Sequence, residues 1–306
     1  MLPWPWTLLG PALALGLLGC SLNRQPLPPD GGPDAGARPD GGADLGALPD
    51  EGPDLGPPDL GPDMGRPDLP LGGLILQLSA RNVNGNGTPA DERPTVWWNL
   101  TGRGNAACAD VLFEEDGLGA GHPAIRTTGV IPDPGLGVLP SRCLWERPAL
   151  SSFTLAVVLR TDDDRGAEPE DWPLAPTIFG ADNPTGRRDG ALFLHRGRPG
   201  FAYASESGLG VLAPTRIDDD QPHLLVLVRD NILGTLSVRI DRGEPLALEL
   251  DRGMLDQPLQ WILGSNSDEE AGRFAGRYGE VLLYDIALDA DVAEDLRTHL
   301  LLEWGL

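Results

Sequence analysis

The stretch "GTLSVRID" (234–241) sets the fold class. Leu236, Val238 and Ile240 alternate with Ser237 and Arg239, so one face of an extended chain is apolar and the other polar. That period of two belongs to an antiparallel strand with one packed face. Working outward, short apolar runs of the same kind recur: "LILQLSA" (74–80), "TVWWNL" (95–100), "FTLAVVLR" (153–160), "ALFLHR" (191–196) and "GFAYAS" (200–205). "HLLVLVRD" (223–230), "PLALEL" (245–250), "QWILG" (260–264) and "GEVLLYD" (279–285) follow. Gly, Pro, Asp or Asn bound each run, as turns require. Many short strands with turn residues between them predict an all-β, antiparallel two-sheet sandwich or jelly roll. One segment breaks the pattern. "DVAEDLRTHLLLEWG" (291–305) places Val292, Leu296, Leu300 and Trp304 on one helical stripe, with Asp289 at the N-cap and Gly305 just past the end. It predicts one C-terminal α-helix docked on a sheet.

Upstream of residue 73 the composition changes. From Ser21 to Gly72 the chain repeats a tetrad: "PDAG" (33–36), "PDGG" (39–42), "PDEG" (49–52), "PDLG" (53–56 and 58–61), "PDMG" (62–65), "PDLP" (67–70). This stretch holds nine Asp, one Glu and three Arg, a net charge of −7. It has too little apolar surface to offset chain entropy and predicts a disordered linker over 20–72. Proline and like charges stretch such a chain, to about 150 Å when fully extended. Regularly spaced Asp in a flexible string cannot hold the six to eight oxygens that calcium needs around one ion.

The whole chain has 306 residues and a formal net charge of −23. That balance argues against a nucleic-acid partner and against docking on anionic lipid by charge. All 23 basic residues are Arg, so Schiff-base and lysine-base chemistry are excluded.

Leu8 to Gly19 is an apolar run too short to span a bilayer and suited to a secretory signal. Leu17-Leu18-Gly19-Cys20 resembles the lipobox of bacterial lipoproteins. The resemblance implies removal of residues 1–19, a diacylglyceryl group on the Cys20 thiol, and acyl-chain anchoring. Ser21 after the cysteine resembles the outer-membrane sorting pattern. The expected location is therefore the bacterial cell envelope, at the outer membrane or cell surface, held by lipid. With Cys20 modified, Cys108 and Cys143 form an even pair in an oxidising compartment. The expectation is a disulfide between them, the alternative being two separate buried thiols.

The folded region, residues 73–306, also resembles a family. "QPHLLVLVRD" (221–230), "GTLSVRIDRGEP" (234–245), "WILGSN" (261–266) and "RFAGRYGEVLLYDIALDADVAEDLRTHLLLEWG" (273–305) follow the order of the laminin-G-like, concanavalin A-like lectin/glucanase jelly roll. "LSARNVNGNGTPADERPTVWWNLTGRGN" (78–105) is similar to the opening of bacterial members, and "HPAIRTTGV" (122–130) sits where they place a strand. The insert "TDDDRGAEPEDW" (161–172) and the segment "RCLWERPAL" (142–150) depart from the pattern. The resemblance implies a glycan- or extracellular-protein-binding module.

Catalytic signals are weak. The acid strand of glucanases on this fold sets two carboxyls across a sugar. Here Glu249 and Asp251 in "ELDRGM" share a strand face, but no third acid follows, so they read as a polar face. The four His (122, 195, 223, 299) have no zinc spacing, and a Gly-x-Ser-x-Gly elbow is absent. The module is read as non-catalytic. The alternatives are a degenerate or unrecognised polysaccharide hydrolase or lyase, and a structural envelope protein.

Two kinds of binding residue stand out. Asn82, Asn84 and Asn86 in "NVNGNG" space their oxygens like a calcium loop, and Asn-Gly turn chemistry explains them equally. No cofactor is required on this reading, and calcium is compatible with it. For stacking on sugar rings the candidates are Trp98 and Trp172, from a wider set with Trp97, Trp145 and Tyr203. Trp97 and Trp98 are neighbours on a strand, so one faces the core and the other outward.

Overall fold

The computed structural model describes residues 68–129, 141–147, 150–166, 175–182, 190–203, 212–249, 259–265 and 272–306. Cys20, Trp172 and Asp251, and the expected signal and nearly all of the linker, lie outside the described residues.

The strands are β1 (Leu74–Ser79), β2 (Val96–Trp97), β3 (Ala106–Ala109), β4 (Leu112–Gly119), β5 (His122–Thr128), β6 (Arg142–Arg147), β7 (Phe153–Arg160) and β8 (Thr177–Asp182). They continue as β9 (Gly190–His195), β10 (Arg198–Tyr203), β11 (Pro222–Asp230), β12 (Thr235–Ile240), β13 (Leu246–Glu249), β14 (Leu259–Leu263) and β15 (Ala275–Tyr284), and helix α1 (Ala290–Trp304) closes the chain. They form two antiparallel sheets. One runs β13-β12-β11-β7-β15-β5-β4. The first half of its ten-residue strand β15 pairs with β5, and the second half with β1. The other sheet runs β10-β9-β8-β14-β6-β3-β2. This is the expected jelly-roll sandwich with one C-terminal helix.

The sandwich has two apolar layers. Between the sheets lie Leu76, Trp97, Trp145, Val157, Leu225, Leu227, Val238, Trp261, Tyr278 and Val281. Phe153 meets Trp261 edge to face at 5.7 Å, and Phe179 tilts onto the same indole at 5.2 Å. On the outer face of the larger sheet, Leu296, Leu300, Leu301 and Trp304 of α1 cover Ala156, Val158, Leu224, Val226 and Leu282. This second layer explains why β7 and β11 read as unbroken apolar runs: both of their faces are covered. Strand β12 keeps a strict alternation, burying Leu236, Val238 and Ile240 while Thr235, Ser237 and Arg239 stay half-buried.

Asp289 takes the N-cap position of α1, though its side chain makes no capping hydrogen bond. Gly305 ends the helix at φ 68°, where a residue without Cβ is favoured, and its N–H reaches the Leu301 carbonyl.

Cys108 and Cys143 are directly opposed on β3 and β6 and form a disulfide with Cα atoms 4.0 Å apart. It joins an expected departure from the family pattern, "RCLWER", into the sheet: Cys143 and Trp145 point to the core.

Candidate functional site

The alternation along "VWW" separates the two adjacent indoles. Trp97 is fully buried, and its indole N–H donates to the Ser79 carbonyl at 3.0 Å. Trp98 must then face outward, and it is 47 % exposed. The next residues fix the strand in place. Asn99 is buried; its Oδ1 accepts from the Gln77 N–H at 2.9 Å and its Nδ2 donates to the Ile75 carbonyl at 3.0 Å. Thr101 closes the same clamp through its hydroxyl, which donates to the Ile75 carbonyl. The "WWNLTG" motif therefore locks a strand to β1 and leaves one ring outside.

The Asn-rich loop lies against that ring. The Trp98 N–H donates to the Val83 carbonyl at 2.9 Å. Gly85, at φ +69°, approaches so closely that a Cβ there would sit 2.9 Å from Trp98 Cβ and 3.1 Å from Cγ. Only glycine suits both the backbone and the contact. The structure thus brings together two groups of residues the sequence treated separately: the asparagines and Trp98.

The asparagines build the loop. Asn82 Oδ1 accepts from the Gly87 N–H at 2.9 Å. Asn86 Oδ1 accepts from the Thr88 N–H at 3.0 Å and from its hydroxyl at 2.7 Å. Asn84 Nδ2 donates to Thr88 Oγ1 at 3.2 Å and to the Pro89 carbonyl at 2.7 Å. This is Asn-turn chemistry, with the side chains standing in for backbone partners. Two groups flanking Gly85 stay uncommitted among the described residues, the Asn84 Oδ1 acceptor and the Asn86 Nδ2 donor. The loop that packs Gly85 on Trp98 therefore keeps one acceptor and one donor unused.

The other candidates go elsewhere. Trp145 is buried and its indole N–H donates to the Gly104 carbonyl at 3.1 Å. Glu249 is exposed on β13, which ends the larger sheet, with no acid partner among the described residues. Among the described residues no cluster of three His, Cys, Asp or Glu could hold a metal ion.

Among the described residues, several acids in the loops between strands are bonded into the structure. Asp163 is 5 % exposed, and its two oxygens take the Arg165 guanidinium at 2.7 and 2.6 Å and the Ala275 N–H at 3.1 Å. Arg216 holds Asp218, and Arg160 holds Asp220 at 2.8 and 2.7 Å. These hydrogen bonds keep both carboxyls below the usual range. Asp219 and Asp241 bracket His223 at 2.9 and 2.7 Å. Burial opposes the charged imidazole, but the two carboxylates outweigh it and lift His223 above its ordinary value.

A groove of about 350 Å³ lies between α1 and strands β11–β13, with Val226, Val228, Leu233 and Ala293 among its walls. It contains no aromatic ring.

No protein-family model matches the chain, and no curated protein does. Solved structures do. Domain 4 of AbnA, a GH43 extracellular arabinanase from Geobacillus stearothermophilus in complex with arabinotriose, aligns at TM-score 0.53 and 15 % identity, covering 73 % of this chain and 98 % of that domain. Trypanosoma rangeli sialidase in complex with sialic acid aligns at TM-score 0.50 and 16 % identity, covering 75 % of this chain and 33 % of the sialidase. Mouse laminin α1 domains LG4-5 match more loosely, at TM-score 0.43 and 14 % identity over 58 % of this chain and 45 % of that one. At such identities the likeness of the first two shows the jelly-roll fold alone. This chain spans a third of the sialidase, so that enzyme's activity is not carried over.

Proposed function

We propose that the protein is a lipid-anchored bacterial envelope lipoprotein whose jelly-roll domain binds glycan, without catalysis, at the rim formed by Trp98 and the Asn82–Thr88 loop. The carrying observation is the half-exposed Trp98 ring held against Gly85, whose two neighbours in the loop, Asn84 and Asn86, each keep one amide group uncommitted among the described residues. A flat apolar face beside fixed donors and acceptors suits a sugar, which presents both C–H faces and hydroxyls. The fold supports the reading, since the arabinanase domain was solved with arabinotriose. A glycan is favoured over a protein partner because the ring stands among amides, not within the packed apolar cluster of a protein hot spot.

The test is calorimetry with arabinotriose and a glycan array, each with and without calcium, on wild type and Trp98→Ala. Loss of the ring weakens binding by about tenfold, about 1.4 kcal/mol. A calcium-dependent signal adds the metal to the site. Binding unaffected by Trp98→Ala removes the rim as the site. Anchoring is tested separately: Cys20→Ser releases the protein from membranes, and mass spectrometry of the mature chain finds acyl groups on Cys20.

A further inference from the structure

We propose that a second pocket, on the outer face of the larger sheet, binds the carboxylate-bearing edge of an acidic sugar such as a uronic acid. It extends the glycan-binding reading to another surface. It rests on that reading for the ligand class alone and not on Trp98.

Three arginines stand side by side across adjacent strands: Arg126 on β5 opposes Arg277 on β15, which opposes Arg160 on β7. Like charges directly opposite one another oppose folding. Two carboxylates are set among them. Glu114 takes Arg126 Nη1 at 2.9 Å and Arg277 Nε at 2.6 Å, and Asp220 takes Arg160 with a two-pronged contact. Asp116 lies near Arg160, but its Oδ1 accepts the Gly121 N–H at 2.6 Å. Three guanidinium charges thus share two bonded carboxylates. Among the described residues, Arg126 Nε and Nη2 and Arg277 Nη2 have no hydrogen-bond partner.

These two arginines border a pit of about 200 Å³. Thr127, Thr128, Asp162, Ala275 and Gly276 complete its lining. The backbone at 275–276 is held in place. Ala275 N–H is held by buried Asp163, its carbonyl by the Thr161 hydroxyl at 2.7 Å, and a Cβ at Gly276 would meet the Phe274 ring at 2.2 Å. The Thr128 hydroxyl is buried without a hydrogen-bond partner among the described residues.

The chemistry follows from the lining. Two guanidiniums, oriented by one shared carboxylate, keep unused N–H donors in this lining, and a planar carboxylate is the group they fit. Asp162, exposed and part of the same lining, can only accept, so it suits the hydroxyls of a sugar ring. Glu114, bonded to both arginines, and Asp162 balance the two guanidinium charges, so what the site offers an anion is its unused N–H donors and not a net positive charge. A simple inorganic anion would leave Asp162 unused and facing like charge; an acidic sugar uses both the donors and the acceptor.

The experiment is calorimetry on the full chain with trigalacturonate and with neutral galactotriose, for wild type, Arg126→Gln, Ala275→Leu and Trp98→Ala. Circular dichroism establishes that each variant folds. Arg126→Gln removes the guanidinium at a partly exposed position, so it reports even if Ala275→Leu does not fold. Wild type binds trigalacturonate, and Arg126→Gln and Ala275→Leu each weaken it by about tenfold or more. Raising NaCl from about 50 to about 300 mM weakens it further. In Trp98→Ala the Arg126-dependent, salt-sensitive binding of trigalacturonate persists, and galactotriose is insensitive to Arg126→Gln. No heat with trigalacturonate, or equal binding by wild type and Arg126→Gln, overturns the proposal. So does an equal loss of galactotriose and trigalacturonate in Arg126→Gln. Trigalacturonate binding lost only in Trp98→Ala overturns the pit and leaves the rim standing; arabinotriose lost in Trp98→Ala, with the pit silent, does the same.

Discussion

Glu280→Gln stabilises the protein at alkaline pH and not at acid pH. Glu280 lies on β15 beneath the C-terminal end of α1 and is 6 % exposed. Ser79 Oγ donates to one of its oxygens at 3.0 Å and Gln77 Nε2 to the other at 3.3 Å. The Trp304 indole N–H makes no well-aligned bond but also favours the anion. These neutral partners do not offset burial, which pushes the carboxyl from an ordinary 4.5 up to about 7. At about 1.36 kcal/mol per pH unit, keeping the anion folded above pH 7 costs about 3 kcal/mol. Between pH 4.5 and 7 the unfolded chain has released this proton and the folded chain retains it. The folded state then binds more protons, so stability falls as pH rises through this window and the penalty is complete above it. Glutamine fills the site without titrating. Urea titrations at pH 5 and pH 8 should show the variant gaining about 2.5 kcal/mol relative to wild type between the two, since a little of the penalty is already present at pH 5. Any packing penalty of the amide is independent of pH and cancels in that difference. So does His223, whose raised value gives stability that is present below 6.5 and lost as pH climbs through its folded value. A difference between variant and wild type that is flat from pH 5 to 8 would refute a buried, protonated Glu280.

Replacing both Cys108 and Cys143 by Ser opens a 35-residue loop, and the chain-entropy argument predicts a loss of about 3–4 kcal/mol, measured as a lowered urea midpoint. Gly85→Ala forces a Cβ into the left-handed backbone and against Trp98. It should cost about 1 kcal/mol or more and blue-shift or broaden Trp fluorescence as the ring moves. Asp163→Asn places an amide NH₂ where Arg165 and the Ala275 N–H both need an acceptor. It should cost about 2–3 kcal/mol by calorimetry, and an unchanged melting temperature would count against the buried ion pair.

Much of the architecture is legible from the sequence, and what is missed has local causes. β7, β9, β11, β12 and α1 match the apolar runs within a residue or two, because burial there is carried by large side chains. β3, "AACA", is too small to register as an apolar run. β4, "LFEEDGLG", looks polar because its outer face holds Glu114 for the arginine row. β6, "RCLWER", hides a period-two core pair, Cys143 and Trp145, between charged residues. In "TVWWNL" only Val96–Trp97 pairs, since the chain turns from the sheet at Trp98 to reach Val83. The outward direction of Trp98 was beyond sequence because alternation gives two parities and only the Trp97–Ser79 bond chooses one. The arginine pit was beyond it for another reason: Arg126, Arg160 and Arg277 come from three strands far apart in sequence, and only strand register aligns them.

The exclusive use of arginine has a structural consequence whatever its origin. A lysine offers one compact charge, whereas a guanidinium can hold two partners in fixed directions. Arg165 joins the Asp163 carboxylate to the Arg273 carbonyl. Arg297 joins Glu294 to the Asp241 carbonyl, tying α1 to the turn after β12. Arg81 lies over the Trp304 ring at 4.4 Å while donating to the Glu303 carbonyl at 2.7 Å. Arg165 and Arg297 each link an acid to a backbone group distant in sequence, and Arg81 ties the end of α1 to the segment after β1, so these guanidiniums act as joints of the sandwich. In the arginine row of β5, β15 and β7, Glu114 joins Arg126 to Arg277 in the same way but leaves donors on both unused. Those donors border the small polar pit, and on the proposal above a ligand's carboxylate takes them.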